Sequence, residues 1–90
     1  RPNDPETRLL SATFYRRQGQ LSAAQMQIDQ ALKLAPDDAE ILLEAGVIAV
    51  LDNRDNTARS HWELVVATSP DHPAAQTARE YLDQLGPAGQ

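Results

Sequence analysis

Three short segments of the chain repeat one pattern at a fixed interval. A proline followed by two polar residues occurs at 2–4, 36–38 and 70–72, so successive segments are 34 residues apart. Proline disfavours the continuation of a helix, and a neighbouring Asp or Asn can accept hydrogen bonds from the free N–H groups of the next helix. Each segment is therefore predicted to end one helix and to begin another.

The interval between these segments can hold two helices joined by a turn. The first interval is interrupted at Gly19 and the second at Asn53, which is again 34 residues later. Both residue types tolerate the left-handed backbone conformation that a tight turn requires. Apolar residues recur at helical spacing on either side of these positions. The sequence predicts no β-strand and five helices, at about 5–18, 21–34, 39–52, 55–68 and 73–85.

Small and large residues recur within the 34-residue units. The first unit carries Tyr15, Gly19, Ala24, Ile28, Ala31, Leu32 and Pro36. The second unit carries Leu42, Gly46, Ala58, Trp62 and Pro70. This pattern resembles the tetratricopeptide repeat, a helix–turn–helix unit of the same period. The resemblance implies an all-α fold, an α-solenoid of five antiparallel helices made of two repeats and a C-terminal capping helix.

Four residues depart from the pattern of that family. Arg8 and Ser11 stand at positions where the first unit should be apolar. In the second unit Ala49 replaces a tyrosine and Val65 replaces an alanine. The extra bulk of Val65 is expected to compensate for the ring that Ala49 lacks, as a volume exchange within one core.

The period also divides the chain. Residues 1–4 are interpreted as the tail of a preceding repeat, 5–38 as the first unit, 39–72 as the second, 73–85 as the capping helix and 86–90 as a flexible tail. Pro2 stands where a unit closes, so an earlier repeat is expected before Arg1. The helix at 5–18 is then expected to expose Leu10 or Phe14 and to allow homo-oligomerisation through this N-terminal helix.

Composition excludes several classes of function. The chain has no cysteine, which rules out disulfides and thiolate metal sites. A net charge of −5 argues against a nucleic-acid partner. The longest apolar run, 41–51, is too short to cross a bilayer, so no direct membrane insertion is expected. A soluble location in the cytoplasm or in a bacterial periplasm remains open.

The sequence offers little support for enzymatic chemistry. His61 and His72 lack the spacing of metal ligands, and the acidic segment 52–56 lacks the pattern of a calcium-binding loop. The serines have no nucleophile motif and no glycine-rich phosphate loop is present. Trp62 occupies the large internal position of the repeat and is expected in the core. We therefore predict a chain that is not an enzyme, with no catalytic or metal-binding residues and no cofactor.

The resemblance implies a binding surface, because the first helix of each unit lines the concave face in this family. The residues that correspond to its ligand-contacting positions include Leu9, Thr13, Arg16, Arg17, Leu43, Val47, Val50, Thr77 and Tyr81. An acidic rim is expected from Asp37, Asp38, Glu40 and Glu44. Arg16 and Arg17, at the other end, would set polarity along the groove. This arrangement predicts a protein-interaction scaffold that binds a partner peptide or helix, such as an amphipathic segment with basic flanks.

Other functions stay open on the sequence. The helix at 39–52 is apolar nearly all round, and either neighbouring helices or a partner could cover it. The chain could also be a structural spacer, a self-association module or an accessory domain of a larger enzyme. Residues 58–75 are similar to the closing repeat of periplasmic bacterial subunits that handle apocytochrome c during haem attachment, which adds a cytochrome c assembly factor to these alternatives.

Overall fold

The structure is a computed structural model that describes residues 3–87, and its regular secondary structure in this range is entirely α-helical. The helices are α1 (Pro5–Arg17), α2 (Leu21–Leu34), α3 (Ala39–Leu51), α4 (Asp55–Thr68) and α5 (Pro73–Leu85). The predicted helices are confirmed, and α1 and α3 each end one residue earlier than expected. The predicted tails at 1–4 and 86–90 include residues 1–2 and 88–90, which lie outside the described residues.

The helix starts follow the 34-residue period. Asp4, Asp38 and His72 are the residues immediately before α1, α3 and α5. The Asp4 carboxylate accepts a hydrogen bond from the backbone N–H three residues later (3.2 Å), and Asp38 accepts two, at 3.0 and 3.1 Å. In the third unit the imidazole Nδ1 of His72 accepts the N–H of Ala74 at 2.9 Å. A histidine therefore caps α5 in the way that the two aspartates cap the other helices.

The turns inside the two units also correspond. Gly19 has φ of 77° and Asn53 has φ of 61°, which places both in the left-handed region. The residue after each one donates its backbone N–H to the carbonyl five residues earlier, at 2.9 Å after Gly19 and 2.8 Å after Asn53. The two turns therefore close in the same way, and each reverses the chain into the second helix of its unit.

The five helices form two layers. Helix α3 contacts both α1 and α5, while α2 and α4 pack behind them without contacting each other. Because the first layer is continuous and the second is open, the array curves toward the α1–α3–α5 side. We call this side the inner face. It carries the side chains that the repeat pattern assigns to partner binding.

Helix α3 is the centre of the packing and takes part in both hydrophobic cores. The first core joins α1, α2 and α3 through Ala12, Ala24, Ile28, Ala31, Ile41, Ala45 and Ile48. The second joins α3, α4 and α5 through Ala39, Leu42, Ala49, Ala58, Trp62, Val65, Ala74, Ala75 and Ala78. The neighbouring helices thus cover most of α3, and its inner edge at Val47, Val50 and Leu51 remains accessible to solvent.

The residues that depart from the repeat pattern find specific partners. Arg8 is half-buried and its Nη1 donates to Oε1 of Gln27 on α2 at 3.0 Å, so a polar link replaces an apolar contact. Ala49 and Val65 are both buried within the second core. Their common location is consistent with the expected volume exchange.

Candidate partner-binding groove

The inner face contains a pocket between the C-terminal ends of α3 and α5. Its volume is about 400 Å³, and it is lined by Val47, Val50, Leu51, Trp62, Tyr81, Gln84 and Leu85. None of these side chains is charged. A pocket of this size and composition can take up an apolar side chain of a partner.

Two aromatic rings form the base of the pocket. Trp62 is 4% exposed, and its Nε1 donates a hydrogen bond to the Leu43 carbonyl at 3.2 Å. The ring of Tyr81 lies against it with a centroid distance of 5.1 Å and an interplanar angle of 51°. The expectation that Trp62 belongs to the core is confirmed. Its indole also contributes to the pocket wall, a role that the sequence interpretation did not assign to it.

The part of the inner face between α1 and α3 is polar. The Thr13 hydroxyl donates to Glu44 Oε1 at 2.9 Å, and Arg16 donates from Nη2 to the same oxygen at 3.2 Å. Arg16 also pairs through Nε with Oε2 of Glu44. The side chains of Arg16 and Glu44 are 22% and 10% exposed. Together these three residues form a buried cross-link between two helices.

This cross-link requires a correction to the expected rim. Glu44 was assigned to a free acidic rim and Arg16 to the opposite end of the groove, but the two side chains are ion-paired with each other. Their charges compensate, so neither residue presents an uncompensated charge to a partner.

The other acidic residues lie away from the pocket. Asp37, Asp38 and Glu40 are exposed at the start of α3, whereas the pocket is formed by residues near its end. At about 1.5 Å per helical residue, Glu40 and Val50 are separated by about 15 Å along the axis. Asp38 in addition caps α3. The acidic cluster therefore marks one end of the inner face and does not surround the pocket.

The remaining predicted residues divide between core and surface. Val47, Val50 and Tyr81 meet at the pocket. Leu9 packs against the first core and Leu43 against the second. Thr77 is half-buried and Arg17 is exposed. Leu51, Gln84 and Leu85 complete the lining and were not among the committed residues of the predicted site, although each occupies one of the partner-contacting positions that the resemblance implies.

Neither histidine belongs to a cluster of metal-ligating residues. Within residues 3–87 no group of three or more His, Cys, Asp or Glu side chains could hold a metal ion. His72 caps α5. His61 is half-buried on α4, and burial lowers its pKa, an effect that the nearby charge of Arg54 reinforces and Asp29 opposes. In the same range no helix is long and apolar enough to cross a membrane.

Comparison with known proteins agrees with the repeat geometry. Residues 5–48 match the family model of the tetratricopeptide repeat. No curated protein and no solved structure matches the chain significantly, so the similarity of 58–75 to cytochrome c assembly subunits stays a prediction. Tetratricopeptide repeats generally mediate protein–protein interactions and typically are non-catalytic. The match covers the first unit and most of α3, the second unit repeats its caps and turn, and the chain belongs to the tetratricopeptide repeat family.

Proposed function

We propose that the chain is a non-catalytic interaction module that binds an amphipathic segment of a partner protein on its inner face. The observation that carries this proposal is the pocket of about 400 Å³ between α3 and α5, whose lining side chains are all uncharged. Leu51 is 51% exposed at its edge, an arrangement that costs free energy in the unbound chain and is relieved by an apolar side chain of a partner.

The charge distribution favours a partner with basic residues to one side of its apolar anchor. The chain has a net charge of −5, and exposed Asp37 and Glu40 lie beyond the Glu44–Arg16 pair from the pocket. A partner whose apolar side chain enters the pocket can direct Lys or Arg side chains toward this acidic end. Apolar contact then supplies most of the affinity, and the charges set orientation and association rate.

The groove is short, so the affinity should be modest. We expect a dissociation constant in the micromolar range, equivalent to about −8 kcal/mol. Raising the salt concentration should slow association without eliminating the complex, because the apolar contact is insensitive to screening.

A matched pair of leucine substitutions tests the site. Leu51 lines the pocket and is 51% exposed, whereas Leu34 at the end of α2 is 45% exposed and lies outside it. Peptides selected from a displayed library of amphipathic helices would be measured against the wild type, Leu51→Glu and Leu34→Glu. We expect Leu51→Glu to weaken binding at least tenfold and Leu34→Glu to leave it unchanged.

Val47→Glu places a charge deeper in the pocket and should abolish binding. Since Val47 is half-buried, its helical content must first be shown by circular dichroism to equal that of the wild type. Selected peptides that bind Leu51→Glu and Val47→Glu as tightly as the wild type would show that the pocket is not the site. The reading as a structural spacer would then be preferred.

A further inference from the structure

Helix α1 presents a second apolar surface, distinct from the pocket. Leu10 is 66% exposed and Phe14 is 58% exposed. Glu6 and Arg17, which are also exposed, lie on the same side of the helix because the spacings of four, eight and eleven residues from Glu6 bring side chains onto one face. We call Glu6, Leu10, Phe14 and Arg17 the α1 stripe.

The internal repeat shows what kind of surface this is. Phe14 corresponds to Ile48, which stands 34 residues later at the same position of the second unit. Ile48 is 0% exposed and packs in the core that α3 shares with α2. The position occupied by Phe14 is therefore one that a neighbouring helix covers when such a helix is present. On α1 no described residue of the chain covers it.

The stripe is self-complementary in charge. An acidic residue lies at its N-terminal end, a basic residue at its C-terminal end, and two large apolar residues lie between them. The midpoint of Glu6 and Arg17 and the midpoint of Leu10 and Phe14 fall at nearly the same place on the helix. In an antiparallel pair of such helices, each Glu6 therefore faces an Arg17 and each Leu10 faces a Phe14.

From this complementarity we propose that two copies of the chain pair through their α1 stripes, antiparallel and about a two-fold axis. Such an interface uses the same patch on both copies and closes on itself, so it yields a dimer rather than a filament. Each copy contributes a single helix face, which is well below the area of a standard interface. We therefore expect a weak dimer with a dissociation constant on the order of 100 µM.

A head-to-tail arrangement is disfavoured by the other end of the array. The outer face of α5 carries polar residues where α3 has Leu42, Gly46 and Ala49. These polar residues, 34 positions later, are the exposed side chains Gln76, Glu80 and Asp83. Docking the α1 stripe there would bury Phe14 against carboxylates, at a desolvation cost that the two-fold pairing avoids.

Sedimentation of the whole chain between about 10 µM and 1 mM tests for the dimer. The wild type should shift from monomer to dimer over this range. Phe14→Glu should weaken dimerisation at least tenfold, and Met26→Glu should not weaken it, since Met26 on α2 is 61% exposed and outside the stripe. Neither substitution removes a buried side chain, so circular dichroism should show unchanged helical content.

Charge reversal tests the antiparallel geometry. Glu6→Arg and Arg17→Glu should each weaken the homodimer, because each brings like charges together at both ends of the contact. Mixing the two variants should restore association as a heterodimer, and the double variant should dimerise like the wild type.

Three results would overturn the proposal. A wild type that is monomeric up to 1 mM would leave the stripe to a partner of another sequence. A dimer that resists Phe14→Glu but is lost with Leu51→Glu would place the contact in the pocket. Failure of the mixed variants to associate, with both still folded, would exclude the antiparallel pairing. The inference is independent of the proposed peptide site, so either can fail alone.

Discussion

Gly46 on α3 faces the indole of Trp62 on α4 so closely that there is no space for a side chain at residue 46. A Cβ at this position would lie 2.5 Å from Cε2 and 2.7 Å from Cδ1 of the indole, and closer still to Nε1. The absence of a side chain lets the ring approach α3, where Nε1 reaches the Leu43 carbonyl. The Trp62 ring thus reaches the pocket because residue 46 is glycine.

The first prediction concerns this close approach. Gly46→Ala should lower the free energy of unfolding by about 1–3 kcal/mol, because overpacking outweighs a helix-propensity gain of about 1 kcal/mol. Urea denaturation followed by circular dichroism measures the change. In a Trp62→Leu background the same substitution should cost much less, since the obstructing ring is absent. A Gly46→Ala protein as stable as the wild type would contradict the observed packing.

The second prediction concerns the aromatic core. Trp62→Ala should lower the free energy of unfolding by about 3–5 kcal/mol, since it leaves a cavity within the second core. Thermal denaturation should show a marked fall in the melting temperature. Tyr81→Phe serves as a control, because it keeps the ring beside Trp62 and removes only a hydroxyl. If Trp62→Ala melts with the wild type, the ring does not contribute to the core.

The third prediction compares two ion pairs. Glu44→Gln removes the charge that compensates the largely buried Arg16 and should cost about 1–3 kcal/mol. Asp52→Asn removes the partner of Arg54 in a pair whose side chains are 55% and 37% exposed, and should change stability by less than about 0.5 kcal/mol. Chemical denaturation of both variants measures the difference. Equal effects would indicate that the Glu44 pair is no better shielded than a surface pair.

The fourth prediction concerns pH. The pKa of His61 lies below its usual value of 6.5 in the folded chain, so the unfolded chain takes up this proton first as the pH falls. His61 therefore contributes a loss of stability that begins near the ordinary pKa and ends below the lowered one. His61→Gln should lose less stability than the wild type between about pH 7 and 5. Denaturation curves across this range measure the difference between the two proteins, and parallel pH profiles would contradict the prediction.

Local features of the fold could be predicted from the sequence. Helix ends and turns depend on residues a few positions apart, so the caps at Asp4 and Asp38 and the left-handed turns at Gly19 and Asn53 followed from their spacing. A period that repeats these signals also specifies which helices pair, since each unit must bury its apolar side against the next. The buried position of Trp62 followed for the same reason.

The candidate site was predicted only in part, because its chemistry depends on side chains that are distant in sequence. The pattern placed Val47, Val50 and Tyr81 on the inner face, and the structure brings them together at one pocket. It did not reveal that Glu44 bonds to Arg16, 28 residues away. Exposure cannot be inferred for a polar residue on a helix face until the crossing of the neighbouring helix is known.

By itself, then, the sequence determined the helices, their order and the residues that form each buried face. It did so because backbone hydrogen bonds, capping and apolar periodicity are local and repeat with the unit. Only the tertiary structure decided which inner-face charges are compensated, that Trp62 forms the base of the pocket, and that Asp37 and Glu40 lie at its far end. These properties arise from the approach of one helix to another, which Gly46 permits at the α3–α4 interface and which no local pattern specifies.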